Sequence, residues 1–229
     1  MNIIGQDGII VQGMTHLLNT LFNLSASVGF PNYGVAIILL TILIKTLIYP
    51  LTYKQMASMR KTIDLQPKIK AIQAKHKNDK EKANAAVMEL YKEHKVNPMG
   101  GCLPILVQLP IFWALYSTLL HFQYGSNPAA YSFAYFDLTK IYGFALTYHL
   151  ILPVFAAATT YLQTKITNPN TSDPTQKTML YIMPVFFAYI SATVPAGLAL
   201  YWVTMNVVSI FQQLYINRKL SSQKKAIVI

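Results

Sequence analysis

The sequence predicts an all-α integral membrane protein: five transmembrane helices with the N-terminus outside and the C-terminus inside, a cytoplasmic helical hairpin and an N-terminal interfacial helix. Three observations predict it. Of 229 residues, 53% are hydrophobic and only 12% charged, about half the charge of an ordinary soluble domain. The apolar residues gather into five runs near the roughly 20 residues that a bilayer crossing takes. The excess of Lys plus Arg over Asp plus Glu, 19 against 8, sits in alternate connections between those runs, as it does where cytoplasmic segments carry the basic residues.

Residues 1–30 lack the basic start of a signal peptide, and no small-residue cleavage site follows a long apolar core, so no cleaved signal is expected. Within them Ile10, Met14, Leu17, Leu18, Leu21 and Phe22 recur at helical spacing. They form one apolar stripe on a segment too mixed to span, which predicts an amphipathic helix lying in the membrane interface.

Residues 31–220 are read as a five-helix core with crossings at about 34–53, 100–120, 144–165, 178–193 and 198–215. The last two are joined by Val194-Pro195-Ala196-Gly197, whose Pro and Gly favour a tight turn. The fourth crossing is short for a hydrocarbon layer of about 30 Å, which predicts local thinning or burial against neighbours. Between the first two crossings, residues 54–98 carry eleven basic and five acidic residues. Met56, Met59 and Ile63, later Ile69 and Ile72, and then Ala83, Val87, Leu90, Tyr91 and His94 repeat at helical steps of three or four within each group, around a polar break at residues 76–79. Two amphipathic helices joined by a turn are expected there. Residues 121–143 carry one charge of each sign, Asp137 and Lys140, whereas the tail at 217–229 carries Arg218, Lys219, Lys224 and Lys225 and no acid.

Enzymatic chemistry finds few candidates. Gly100-Gly101 is followed by Cys102-Leu103-Pro104, not by the Lys-Ser or Lys-Thr of a phosphate-binding loop. The five runs contain no Asp or Glu, which leaves an intramembrane protease or a carboxylate proton relay without residues. The five histidines are scattered, and the single Cys102 has no second thiol for a disulfide or a metal site. No catalytic residue, metal or cofactor is expected.

Lys45 stands apart. It lies about eleven residues into the first run, where a lysine costs roughly 2.5–3.5 kcal/mol on insertion scales. Snorkelling to the inner interface is one explanation. A hydrated concavity within the protein is the other, since Thr41 and Tyr49, one helical turn to either side, extend a polar stripe along an otherwise apolar helix. Gln108, Gln163, Tyr201, Trp202 and Asn206 are polar candidates for the same concavity. Tyr and Trp near a helix end also suit an interfacial belt, and buried Gln and Asn also serve as interhelical contacts.

Several stretches resemble a known family. They are Thr41-Ile42-Leu43-Ile44-Lys45-Thr46-Leu47-Ile48-Tyr49-Pro50-Leu51-Thr52, Leu65-Gln66-Pro67-Lys68-Ile69, Val96-Asn97-Pro98-Met99-Gly100-Gly101-Cys102-Leu103-Pro104, Gln108-Leu109-Pro110-Ile111-Phe112 and Pro195-Ala196-Gly197-Leu198-Ala199-Leu200-Tyr201-Trp202. Together they resemble the YidC/Oxa/Alb group of membrane protein insertases over roughly residues 30–220. The resemblance implies a multi-pass protein of the bacterial cytoplasmic (inner) membrane. It also implies a positively charged groove open to cytoplasm and lipid, with the family's basic residue falling on Lys45, its groove threonine on Thr41 and its substrate-facing aromatic pair on Tyr201 and Trp202. Position 45 is typically Arg in that group; Lys keeps the charge and loses the bidentate fork. Many members carry a lipoprotein signal, or an extra N-terminal crossing with a large periplasmic domain, and neither is read here.

The function expected is that of an insertase and chaperone working without ATP. The polar tail of a nascent membrane protein enters the groove, while its apolar segment partitions into lipid along the third and fifth crossings. Nascent membrane proteins and membrane lipid are the expected partners, the ribosome and the Sec translocon are candidate ones, and the working unit is expected to be a monomer. Arg60, Lys61, Lys68 and Lys70 on the hairpin are candidate cytoplasmic docking residues. Two rivals remain open: a small-solute or anion transporter using Lys45, and an assembly chaperone without insertion activity.

Overall fold

The structure is a computed structural model that describes residues 8–96, 103–122, 127–144, 148–167 and 174–228. Nine α-helices occur among the described residues: α1 (Ile9–Ser27), α2 (Tyr33–Leu47), α3 (Tyr49–Lys75), α4 (Lys80–Glu93), α5 (Leu103–His121), α6 (Pro128–Tyr131), α7 (Ile151–Thr167), α8 (Pro174–Thr193) and α9 (Ala196–Val228). The helical prediction meets one small exception. Strands β1 (Ser132–Phe133) and β2 (Phe136–Asp137) form an antiparallel hairpin, pairing Ser132 with Asp137 and Phe133 with Phe136. The chain divides into two compact units, one of Met1–Ile48 with Gln108–Tyr215, the other of Tyr49–Val107 with Ile216–Ile229.

In the first unit, α1 buries Val11, Leu18 and Ser25 on one edge and leaves Ile9, Ile10 and Leu24 exposed. Phe22 stacks on Tyr33 at 4.1 Å, and Tyr33 meets Phe122 edge-on at 5.0 Å. Helix α2 opens on Asn32, whose side-chain oxygen accepts from the Gly34 N–H at 2.8 Å, a standard N-cap. The Asn32 amide also donates to the carbonyls of Ala129 and Ser132 at 3.1 and 2.8 Å, tying the start of α2 to α6 and β1. Ala36, Ile37 and Leu40 of α2, Leu115 and Leu119 of α5, and Leu198, Tyr201 and Met205 of α9 build one core with Leu18 and Leu138.

One end of this unit is closed by backbone. The N–H groups of Gly197, Ala196 and Gly143 donate to the carbonyls of Leu138, Lys140 and Ala192 at 2.9, 2.9 and 3.0 Å, so residues 138–143 are sewn to the turn between α8 and α9. Helices α7 and α8 pack antiparallel, with Tyr161 and Tyr181 rings 6.3 Å apart.

Two expected boundaries shift. The run at 34–53 is not one helix: α2 stops at Leu47 and α3 starts at Tyr49. Pro50 lacks an N–H for the Thr46 carbonyl and its ring would strike that carbonyl, so an unbroken helix cannot pass through it. At the other end, α9 continues from the apolar run through Val228, because no Pro or Gly interrupts residues 198–228. Taken singly, no described helix is long and apolar enough to cross a membrane, while α2 and α3 together pass that test as a broken pair. The Gly100 and Cys102 segment lies outside the described residues.

In the second unit, α3 and α4 pair through Leu65, Ile69, Leu90 and Val96, with Ile72, Val87 and Tyr91 at the margin. Asp79 caps α4, its carboxylate accepting from the Lys82 N–H at 3.0 Å. That bond holds the Asp79 carboxyl below its usual range, so the cap is fully in place above that range and is lost only as pH falls beneath it, through the lowered value.

The far end of α4 closes with the N–H of Val96 on the Tyr91 carbonyl and the N–H of Lys95 on the Lys92 carbonyl, a Schellman arrangement. Lys95 must then take a φ of 51°, which glycine adopts more cheaply. Lys95→Gly is therefore expected to stabilise the hairpin by about 1 kcal/mol, read as roughly fivefold slower amide exchange in the last turn of α4. Unchanged exchange would mean that the left-handed lysine carries no strain.

Candidate functional site

Helix α9 is the spine of the site. Tyr201 and Trp202 are successive residues, so a helix points them about 100° apart, and they face different partners. Tyr201, only 2% exposed, sits in the core, and its hydroxyl accepts a hydrogen bond from the Gln108 amide of α5. Trp202 is half-buried: its ring stacks on Phe187 of α8 at 3.7 Å and meets Phe112 of α5 edge-on at 6.2 Å. Its indole N–H donates to Oγ1 of Thr160 on α7 at 3.1 Å. One turn further along α9, the fully buried Asn206 donates through Nδ2 to the hydroxyls of Thr159 and Thr160 at 3.1 and 2.9 Å. The Asn206 Oδ1 atom has no hydrogen-bond partner among the described residues.

The polar edge continues toward the other end of the unit. Ser209 and Gln213 are buried, three and seven residues on from Asn206, which places all three on one face. Beside them Gln212 donates through its amide to the Lys45 carbonyl at 3.0 Å, fastening α9 to the C-terminal half of α2. There Thr41 is buried and donates to the Ile37 carbonyl at 2.7 Å, whereas Lys45, one turn on, is half-buried. No acidic side chain pairs with Lys45 among the described residues.

Of the candidates read from sequence, Gln108 with Tyr201, and Trp202 with Asn206, are brought together. The Lys45 carbonyl lies about 16 Å further down α9, by the eleven residues between Tyr201 and Gln212 at 1.5 Å each, with Thr41 one turn earlier on α2. Gln163 is half-buried on α7, one turn past Thr159 and Thr160. Tyr49 belongs to the other unit, where its ring lies 6.5 Å from that of Tyr53, itself under the Lys219 ammonium at 5.3 Å. Also in that unit, Arg60, Lys61, Lys68 and Lys70 lie on α3, with Lys61, Lys68 and Lys70 exposed and the Lys68 ammonium 3.0 Å from His94 Nε2.

Thr159, Thr160, Ser209 and the Gln212–Gln213 pair were not among the candidates. Their signal was present, since hydroxyls and amides recur at steps of three and four within apolar runs. A lone Thr or Ser in an apolar helix, however, bonds its own backbone as readily as a neighbour.

The model of the 60Kd inner membrane protein family matches residues 23–224, taking in everything from the last turn of α1 to near the end of α9. The chain belongs to the 60Kd inner membrane protein family. Members of this family similar to it include proteins named membrane protein insertase YidC from Pelobacter propionicus, 45% identical over 193 residues, and Geobacter sulfurreducens, 44% identical over 191. These matches cover 82% and 83% of this chain and 35% of each relative, so the chain spans about a third of their length. Among solved structures, the active YidC insertase crystal structure with the first transmembrane domain resolved matches with a TM-score of 0.68 at 30% identity, over 88% of this chain and 44% of that one. Family membership makes this an inner membrane protein of bacterial type, and its fold is that of the insertase structure.

Proposed function

We propose that this chain inserts nascent membrane proteins into the bacterial inner membrane, acting as an insertase and chaperone and not as an enzyme. One observation carries the reading: Lys45 is half-buried and without an acidic partner among the described residues, on a helix fastened to the polar edge of α9. An uncompensated cation in that setting is a place for a mobile anion to visit, and the acidic tail of a membrane protein is such an anion. Thr41, Gln108, Gln163, Tyr201, Trp202 and Asn206 of the first unit complete the groove, with Tyr201 and Gln108 positioning α5 against α9 from behind.

Five crossings, N-terminus out and C-terminus in, are the topology we infer, with residues 1–30 at the interface, the 54–98 hairpin in the cytoplasm and 217–229 as a basic tail. Exposed Val154, Phe155, Ile182, Val185, Phe186, Tyr189 and Phe211 on α7, α8 and α9 support a lipid-facing surface, because soluble proteins rarely leave so much apolar area bare. The hairpin's Arg60, Lys61, Lys68 and Lys70 would meet the ribosome or the Sec translocon. Partition of the substrate's apolar segment, at about 25 cal/mol per Å², drives the step without ATP.

The test is insertion into liposomes holding the purified protein, using a single-span substrate with a short acidic N-terminal tail. Protease protection of the tail is expected to exceed that in protein-free liposomes at least tenfold. Equal protection would refute insertase activity.

A further inference from the structure

We infer that Thr160 is the catch of a latch that holds α7 against α9 and closes the seam between them to lipid. This rests on the insertase reading only for what passes through the seam. Three hydrogen bonds cross it: Trp202 Nε1 to Thr160 Oγ1 at 3.1 Å, and Asn206 Nδ2 to the Oγ1 atoms of Thr160 and Thr159 at 2.9 and 3.1 Å. Two of the three end on one atom. The Thr160 hydroxyl oxygen has two acceptor sites, and both are taken.

The surrounding chemistry fits a catch that opens more than a permanent weld. Donors on α9 meet only hydroxyls on α7, so each bond is neutral, and interhelical bonds of this kind are individually weak in membranes. Thr159 keeps a second attachment, donating to the Phe155 carbonyl of its own helix at 2.7 Å, and so has a partner when the seam parts. Asn206 Oδ1, fully buried and without a partner among the described residues, offers an acceptor to a polar group arriving between the helices. Beside Trp202 lies a small crevice of about 10 Å³ lined by Phe112, Phe187, Ile190, Ser191 and Leu198, the space of one water molecule. The Ser191 hydroxyl there is also without a partner among the described residues. A segment leaving the groove for lipid between α7 and α9 must break all three bonds, and Thr160 is where most of them meet.

The two tryptophans of the chain are Trp113 and Trp202, so in a Trp113→Phe background the indole of the latch is the sole fluorescent reporter. Its quenching by lipids with brominated acyl chains measures how far the seam stands open. Thr160→Val keeps the shape and removes the acceptor, and is expected to raise that quenching about twofold over the Trp113→Phe parent, whereas Thr160→Ser retains the parent value. Asn206→Leu, which removes two bonds from the α9 side, is expected to act like Thr160→Val, and thermal unfolding in detergent verifies that each variant is folded. Equal quenching in the parent, Thr160→Val and Asn206→Leu would overturn the latch.

In the liposome assay, the initial insertion rate is expected to rise about twofold in Thr160→Val. An unchanged or lower rate beside raised quenching would overturn passage through this seam. A parent protein that inserts nothing, yet shows the quenching pattern, would strike the insertase reading and leave the latch standing.

Discussion

Lys45→Glu is expected to lower insertion of substrates with acidic translocated tails by at least tenfold, while Lys45→Arg stays within about twofold of the parent and Lys45→Gln falls between them. Two unit charges about 6 Å apart, at an effective dielectric constant near 20, interact by roughly 3 kcal/mol, and reversing one sign turns that attraction into an equal repulsion. Each 1.4 kcal/mol is a factor of ten, so a tenfold loss requires only a small part of the change to survive screening. Half-burial of Lys45 limits that screening, since salt weakens exposed pairs far more than covered ones. Substrates with neutral tails supply the internal comparison, and their insertion should differ little between Lys45→Glu and Lys45→Gln. Initial rates in proteoliposomes, measured for both tail types, decide the matter. Equal rates for the parent and Lys45→Glu on acidic tails would remove charge attraction from the mechanism.

Gly34→Val is expected to cost about 3 kcal/mol of stability, at the upper end of what overpacking produces. A Cβ at position 34 would overlap Phe133 Cγ and lie 2.6 Å from its Cβ, atoms at the root of that side chain that cannot swing away. Phe133 is fixed in turn, because it belongs to the β1–β2 hairpin whose neighbour Ser132 is held by Asn32. The variant must therefore shift the start of α2 or release the hairpin, and either move disturbs the cap on Asn32. A lowered unfolding temperature in detergent is the readout, with Phe133→Ala combined with Gly34→Val regaining part of the loss. Close neighbours that couple in this way are non-additive. A Gly34→Val protein melting with its parent would show that α2 and the hairpin slide freely.

How much of the molecule was legible in the sequence depends on the range over which each signal acts. Composition and helical spacing are local properties, so the helical character, the polar break between α3 and α4, and the tight turn before α9 can be read directly. Lys45 is conspicuous for the same reason, as a charge among apolar neighbours along one stretch of chain. The long motifs carried the family, because many residues in a fixed order are a far more specific signal than any one of them.

Tertiary structure decided what periodicity cannot address, namely which groups from distant segments meet. Tyr201 and Trp202 are adjacent in sequence and read as one aromatic pair, yet helical geometry sends the first to Gln108 on α5 and the second to Thr160 on α7. Thr159 and Thr160 look unremarkable within an apolar run, and become central only because α9 brings Asn206 to them. The Asn32 side chain reads as a helix cap, but its bonds to Ala129 and Ser132 span about a hundred residues. By itself the sequence determined the helical character, the membrane-type composition, the family and the isolated cation. The partners of each polar group were set by packing, since a hydrogen bond between helices depends on the rotation and register of both.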